Sequence, residues 1–129
     1  MPATNFHEYA RGIEDVLDAT VAAGEVVLTS IQIDQRSSLR GFITAVLQFG
    51  DASELHFREF VDTSLPESRL VYAYHYQDVE KKLVFRYDNA AHRPPPPQAE
   101  HKHTPAGVEV HPAPTLAQVV DEIIRGMQP

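Results

Sequence analysis

Cysteine is absent from all 129 residues of the chain. That excludes a disulfide framework, a thiolate zinc site and a cysteine nucleophile, and it is compatible with a reducing cytosol. No apolar run approaches the ~20 residues needed to span a bilayer. The opening MPATNFHEYARG lacks the charged and apolar blocks of a signal peptide. A soluble cytoplasmic protein with no membrane partner is expected. Also missing are a glycine-rich phosphate loop, a dinucleotide fingerprint, a GxSxG elbow and HExxH. No cofactor is therefore expected. Nor is there a surplus of positive charge: the net charge is −7, which argues against broad, nonspecific binding to nucleic acid. A small basic cleft that touches a few phosphates is still allowed.

What is present is an apolar content of 43%, enough to bury a core in a chain this long, so residues 1–129 are expected to form one domain. Asn5 followed by Glu8 reads as a capping box. It opens a run in which Phe6, Tyr9, Ile13, Val16, Leu17 and Val21 recur at helical spacing until Gly24. The period then falls to 2. Strands are expected over Val26 to Asp34 (Val27, Thr29, Ile31 and Ile33 on one face), Leu39 to Phe49, Glu54 to Asp62, Leu70 to Gln77 and Leu83 to Asp88. Connections this short leave no room for helical crossovers, so the five strands should form an antiparallel meander. Pro94 to Pro97, Pro105, Pro112 and Pro114 predict an irregular loop over 89–114. Thr115 with Gln118 caps a final helix with an apolar stripe of Leu116, Val119, Val120 and Ile123. The fold class is α+β: a five-stranded sheet with an N-terminal and a C-terminal helix.

Chemistry concentrates in Tyr74 to His103, which holds four of the seven histidines. Lys81 to His103 carries +3, against −8 in the first eighty residues and −2 after His103. Imidazoles beside cations and an aspartate suit proton transfer at an anionic substrate such as a phosphate. In extended backbone, His101-Lys102-His103 projects both imidazoles to one side. Asp88 can orient a histidine, as a carboxylate orients the base of a triad, and Asp88-Asn89 can equally make an Asx turn. A four-residue loop at Asp78 to Lys81 would place Tyr76 opposite Leu83 and His75 opposite Val84, with Arg86 diagonal to His75. One sheet face would then collect His56, Arg58, His75, Arg86 and Asp88. His7, His56 and His111 stand apart in sequence and receive no role.

At these residues the chain resembles the TumE family, the toxin halves of small toxin–antitoxin pairs. The likeness rests on Tyr74-His75-Tyr76-Gln77-Asp78, on Leu83-Val84-Phe85-Arg86-Tyr87-Asp88-Asn89-Ala90, and on His92 with His101-Lys102-His103. It implies a toxin neutralised by a co-encoded antitoxin, commonly a helix-turn-helix protein, with RNA as the usual target class. Relatives often carry further histidines where this chain has Arg93 and Glu100, which favours acid–base chemistry over an essential poly-histidine metal site.

The reading that follows is a metal-independent endoribonuclease. His92 and His103 (or His101) would serve as the acid–base pair, with Asp88 orienting a histidine. Arg86 and Lys102 would hold phosphate, and His75 and Asn89 would support the substrate. A homodimer is compatible with this reading. Other readings are a non-catalytic module that docks a protein through its prolines, metal binding through His92, His101 and His103, and a nucleotidyl- or phosphoryl-transfer toxin.

Overall fold

The computed structural model describes residues 3–89 and 100–127. Helix α1 (Phe6–Ala22) is followed by strands β1 (Val26–Gln35), β2 (Arg40–Phe49), β3 (Glu54–Asp62), β4 (Arg69–Gln77), β5 (Leu83–Asp88), β6 (His101–Thr104) and β7 (Gly107–Val110), and by helix α2 (Leu116–Met127). The α+β class and the antiparallel meander are as expected. The strand number is not: seven strands lie in chain order in one sheet. The additional pair, β6 and β7, forms a hairpin inside the stretch expected to be irregular.

Helix α1 begins where the capping residues placed it. Asn5 is extended and its side-chain oxygen accepts from the Glu8 amide at 2.8 Å, satisfying one of the orphan donors of the first turn. The Glu8 carboxylate turns back to the Thr4 amide and hydroxyl, each at 3.1 Å. The reciprocal half of the box is thus displaced by one residue. Gly24, at φ +98°, ends the helix. At α2 the box is complete: the Gln118 amide donates to the Thr115 hydroxyl, and the Thr115 amide donates to the Gln118 side chain.

Both helices bury their stripes against one face of the sheet, called here the inner face. Phe6, Ile13 and Leu17 of α1 meet Ile43, Leu47, Leu55, Phe57, Tyr74 and Phe85, together with Leu116, Val119 and Ile123 of α2. Each fully buried large apolar side chain contributes about 1.5–3 kcal/mol. The approach is closest at Gly41, where an added Cβ would lie 2.4 Å from the Phe6 ring; a side chain there would displace the start of α1.

Within this core sits one carboxylate. Glu59 is buried and accepts hydrogen bonds from the Tyr9 and Tyr74 hydroxyls. Burial pushes its pKa up, against the lowering effect of those two bonds. Arg69 donates to the Tyr74 hydroxyl at 2.9 Å and to the Pro114 carbonyl, tying the entry to α2 to the same network.

Two registers differ from expectation. A bulge between Leu28 and Ser30 changes the parity of β1. Val26, Leu28, Ile31 and Ile33 oppose inner-face residues of β2, whereas Val27, Thr29, Ile31 and Ile33 were expected together. At the β4–β5 hairpin, Tyr76 pairs with Phe85 and His75 with Arg86. The displacement from the expected pairing is two residues, so every side chain keeps its face. Half of it comes from the loop, where the Asp78 carboxylate accepts from the Glu80 and Lys82 amides and Lys81 turns at φ +66°, so that Gln77 pairs with Leu83; the other half comes from an irregularity between Tyr76 and Gln77.

Candidate active site on the outer sheet face

Paired residues of antiparallel strands point to the same face, so the ladder itself assembles the site. One row runs Val46, His56, His75, Arg86, His103 across β2 to β6. The next row runs Thr44, Arg58, Ala73, Asp88, His101. The five residues expected to share a face (His56, Arg58, His75, Arg86 and Asp88) do share the outer one. His101 and His103 join them because β6 adds to the edge of β5.

At the centre is Asp88, only 5% exposed although it lies on the face away from the helices. Its Oδ2 accepts from Arg86 Nε at 2.8 Å and lies 3.5 Å from His103 Nε2. Its other oxygen lies 3.9 Å from His101 Nδ1. The two imidazole centroids are 6.0 Å apart. His101 is buried, while 23% of the His103 side chain is open to solvent.

Arg86 Nη1 lies 3.5 Å from His75 Nδ1. Burial, and then the Arg86 charge, depress the His75 pKa below its ordinary value. Near neutral pH, His75 is therefore a neutral donor and acceptor rather than a cation. A groove of about 410 Å³ continues from Arg86 across the sheet, floored by His75, His56, Arg58, Thr44 and Ser30. It carries two guanidiniums, and two of its lining residues are bonded to Glu54, which sits 3.3 Å from His56 and accepts from Gln77.

Two expected site residues lie elsewhere. Lys102 alternates to the inner face, where its ammonium bonds Glu122 of α2 at 3.0 Å and lies over the Phe85 and Tyr87 rings. Burial lowers its pKa, but the Tyr87 and Glu122 oxygens outweigh that effect and hold it above the ordinary value. The phosphate-binding role expected of Lys102 does not fit this position. Asn89 spends its amide on backbone, accepting from the Tyr72 N–H at 2.9 Å and donating to the Leu70 carbonyl at 3.1 Å. It fastens the end of β5 to β4 instead of facing a substrate. His92 lies outside the described residues.

Conversely, His56 and Arg58 enter the site although their position in the sequence singled out neither for a role. Their signal was strand parity: they occupy the polar positions between Leu55, Phe57 and Glu59. Asp88, His101 and His103 also offer donor atoms within 4.8 Å of one another, a carboxylate and two imidazoles that could take a divalent transition ion.

The family model for toxin TumE matches residues 12–128, nearly the whole chain. The chain belongs to the TumE toxin family. No curated protein and no solved structure matches it. The TumE match begins within α1 and spans the seven described strands and α2, and with them the outer-face cluster. Among the described residues of this TumE protein, no helix is long and apolar enough to cross a membrane.

Proposed function

We propose that this TumE toxin is an endoribonuclease, held in check by a co-encoded antitoxin, that cleaves RNA by histidine acid–base chemistry. One observation carries the reading. The ladder brings a solvent-accessible histidine, a buried carboxylate, a second histidine and a guanidinium together at the head of a cationic groove.

Cleavage needs a base to take the 2′-hydroxyl proton and an acid to protonate the departing 5′-oxygen. The 2′-oxygen forms a new bond to phosphorus as the bond from phosphorus to the 5′-oxygen breaks, leaving a 2′,3′-cyclic phosphate. His103 is the leading proton carrier. His101, or His92 by the sequence pattern, supplies the second. Asp88 fixes imidazole orientation from behind, as a buried carboxylate does in a triad. The Arg86 guanidinium, held at 2.8 Å by Asp88, is placed to meet the charge that gathers on the phosphate. His75 positions Arg86 and offers a neutral hydrogen-bonding edge.

The test is cleavage of total RNA in EDTA by the purified parent and by His103→Ala. Loss of a general acid–base group should reduce the rate about 10²–10⁴-fold while the variant remains folded by circular dichroism. A folded His103→Ala that cleaves at the parent rate would sink the assignment. A second reading, cation-assisted hydrolysis, draws on the close donor set of Asp88, His101 and His103. It requires activity that disappears in EDTA and returns with a divalent ion, together with stoichiometric metal lost in His103→Ala.

A further inference from the structure

The outer-face groove crosses the strands rather than running along one: Ser30 of β1, Thr44 of β2, Arg58 of β3, Ala73 of β4 and Arg86 of β5 all line it. Its two guanidiniums differ in what balances them. Arg86 is bonded to Asp88 at 2.8 Å. Arg58 is exposed, and among the described residues it makes no ion pair. Its ladder neighbours are Thr44 and Ala73, side chains too short to cover it. The bulge in β1 sets Ser30 opposite Val46, an outer-face residue, and so turns a second exposed hydroxyl to the same side as Thr44. Glu54 lies beyond His56 on β3, 3.3 Å from that imidazole. The cation left open to an anionic ligand is therefore Arg58.

Arg58 stands three strands from His103, about 14 Å at the spacing of a sheet. That is too far for one phosphate to meet both. Stacked nucleotides advance about 3.4 Å each and splayed ones further, so a single RNA strand spans the gap in about two to four linkages. A guanidinium beside hydroxyl donors is the side-chain set that holds backbone phosphates. Resting on the RNA-cleavage reading, we propose that Arg58, with Thr44 and Ser30, binds a phosphate other than the one cleaved. The RNA backbone then crosses the sheet from β6 toward β1, and the enzyme favours an extended strand over a dinucleotide.

The test compares the parent with Arg58→Gln on two substrates. One is a mixed-sequence RNA of about twelve nucleotides, long enough to reach the subsite. The other is a pool of dinucleoside monophosphates, which carry only the scissile phosphate. On the longer RNA, Arg58→Gln should raise KM about tenfold, the share of one charged hydrogen bond at an exposed site. Because the contact is the same in ground and transition states, kcat should hold. The slope of log KM against log salt should flatten by about 0.7, one phosphate's share for a single strand. Arg58→Lys, which keeps the charge, should retain the salt slope. On the dinucleotides, parent and Arg58→Gln should be equal, and both should melt together. If the parent cleaves the longer RNA and Arg58→Gln matches it in KM and salt slope, the subsite is wrong while the nuclease reading stands. An equal loss on both substrates would place Arg58 in the cleavage centre and overturn the subsite. If the parent cleaves no RNA, both readings fail. Loss of toxicity in Arg58→Gln with unchanged cleavage would assign the groove to an acidic protein partner instead and also overturn the proposal.

Discussion

Replacing Asp88 by Asn separates what this carboxylate does for the fold from what it does for chemistry. The substitution keeps shape and removes the charge that accepts from Arg86 at 2.8 Å. A hydrogen bond to a charged group is worth about 1.5–3 kcal/mol net. Because 31% of the Arg86 side chain reaches solvent, the released guanidinium regains hydration, and the lower end of that range, about 1.5 kcal/mol, applies. With an unfolding entropy of about 2.1 cal/mol/K per residue, a chain of this length should lose about 5 °C from its thermal midpoint. Catalysis should suffer far more. A carboxylate that holds a catalytic imidazole in its working tautomer is worth up to about 10⁴ in rate, so a loss of at least about 10²-fold is expected. The assay is initial-rate cleavage of a labelled RNA at 25 °C, well below the melting transition, alongside a melt of the same preparation. A variant that melts about 5 °C earlier yet cleaves at the parent rate would show Asp88 to be a pin between β5 and β6 and nothing more.

Two further outcomes follow from the inner face. Burial raises the folded-state pKa of Glu59, so its contribution to stability is fully present below the unfolded value of about 4.3 and is lost as pH rises through the folded value. Glu59→Gln cannot ionise; the parent-minus-variant difference in melting temperature should fall as pH rises from about 4.3, and a flat difference would refute the linkage. Lys102→Met keeps the stem over Tyr87 but loses the bond to Glu122. It should cost about 0.2–1 kcal/mol of stability and leave RNA cleavage unchanged, and a tenfold loss of cleavage would return Lys102 to the site.

Much of this architecture was legible because local signals agreed with one another. Asn5 and Thr115 announce both helix starts, and the period-2 pattern of β2 and β3 survives almost residue for residue in their burial. The missed hairpin had no such signal. In β7 the alternation is confined to Val108-Glu109-Val110 and all four residues are exposed, so no buried face extends the pattern to a readable length. In β6 the alternation is written in histidine and lysine rather than in apolar residues, and Pro105 and Pro112 read as breakers. Pro105 in fact lies in the connection, where Gly107 supplies φ +140°, a Pro-to-Gly turn between two extended tetrapeptides. The candidate site was half legible for the same reason. Parity alone put His75, Arg86, Asp88, His56 and Arg58 on one face, but adding His101 and His103 required a strand whose only evidence was its pairing. Lys102 was grouped with its neighbours in sequence, whereas in a strand its neighbours along the chain are on the other side. Asn89 has a structural role, but a cross-strand one rather than an Asx turn: its amide bonds the backbone of Tyr72 and Leu70 in β4.

The alternation in β4, β5 and β6 interleaves two separate inventories on the same backbone: tyrosines and phenylalanine for the core at one parity, histidines, arginine and aspartate for chemistry at the other. Such a chain can absorb substitutions one at a time, but deleting or inserting a single residue inside these strands would exchange the inventories wholesale, sending His75 toward the helices and Tyr74 into water. Among the described residues around β4, β5 and β6, length changes should therefore be tolerated in the connections at 63–68, 78–82 and 105–106, with the residue count kept constant from Arg69 to Gln77 and from Leu83 to Asp88.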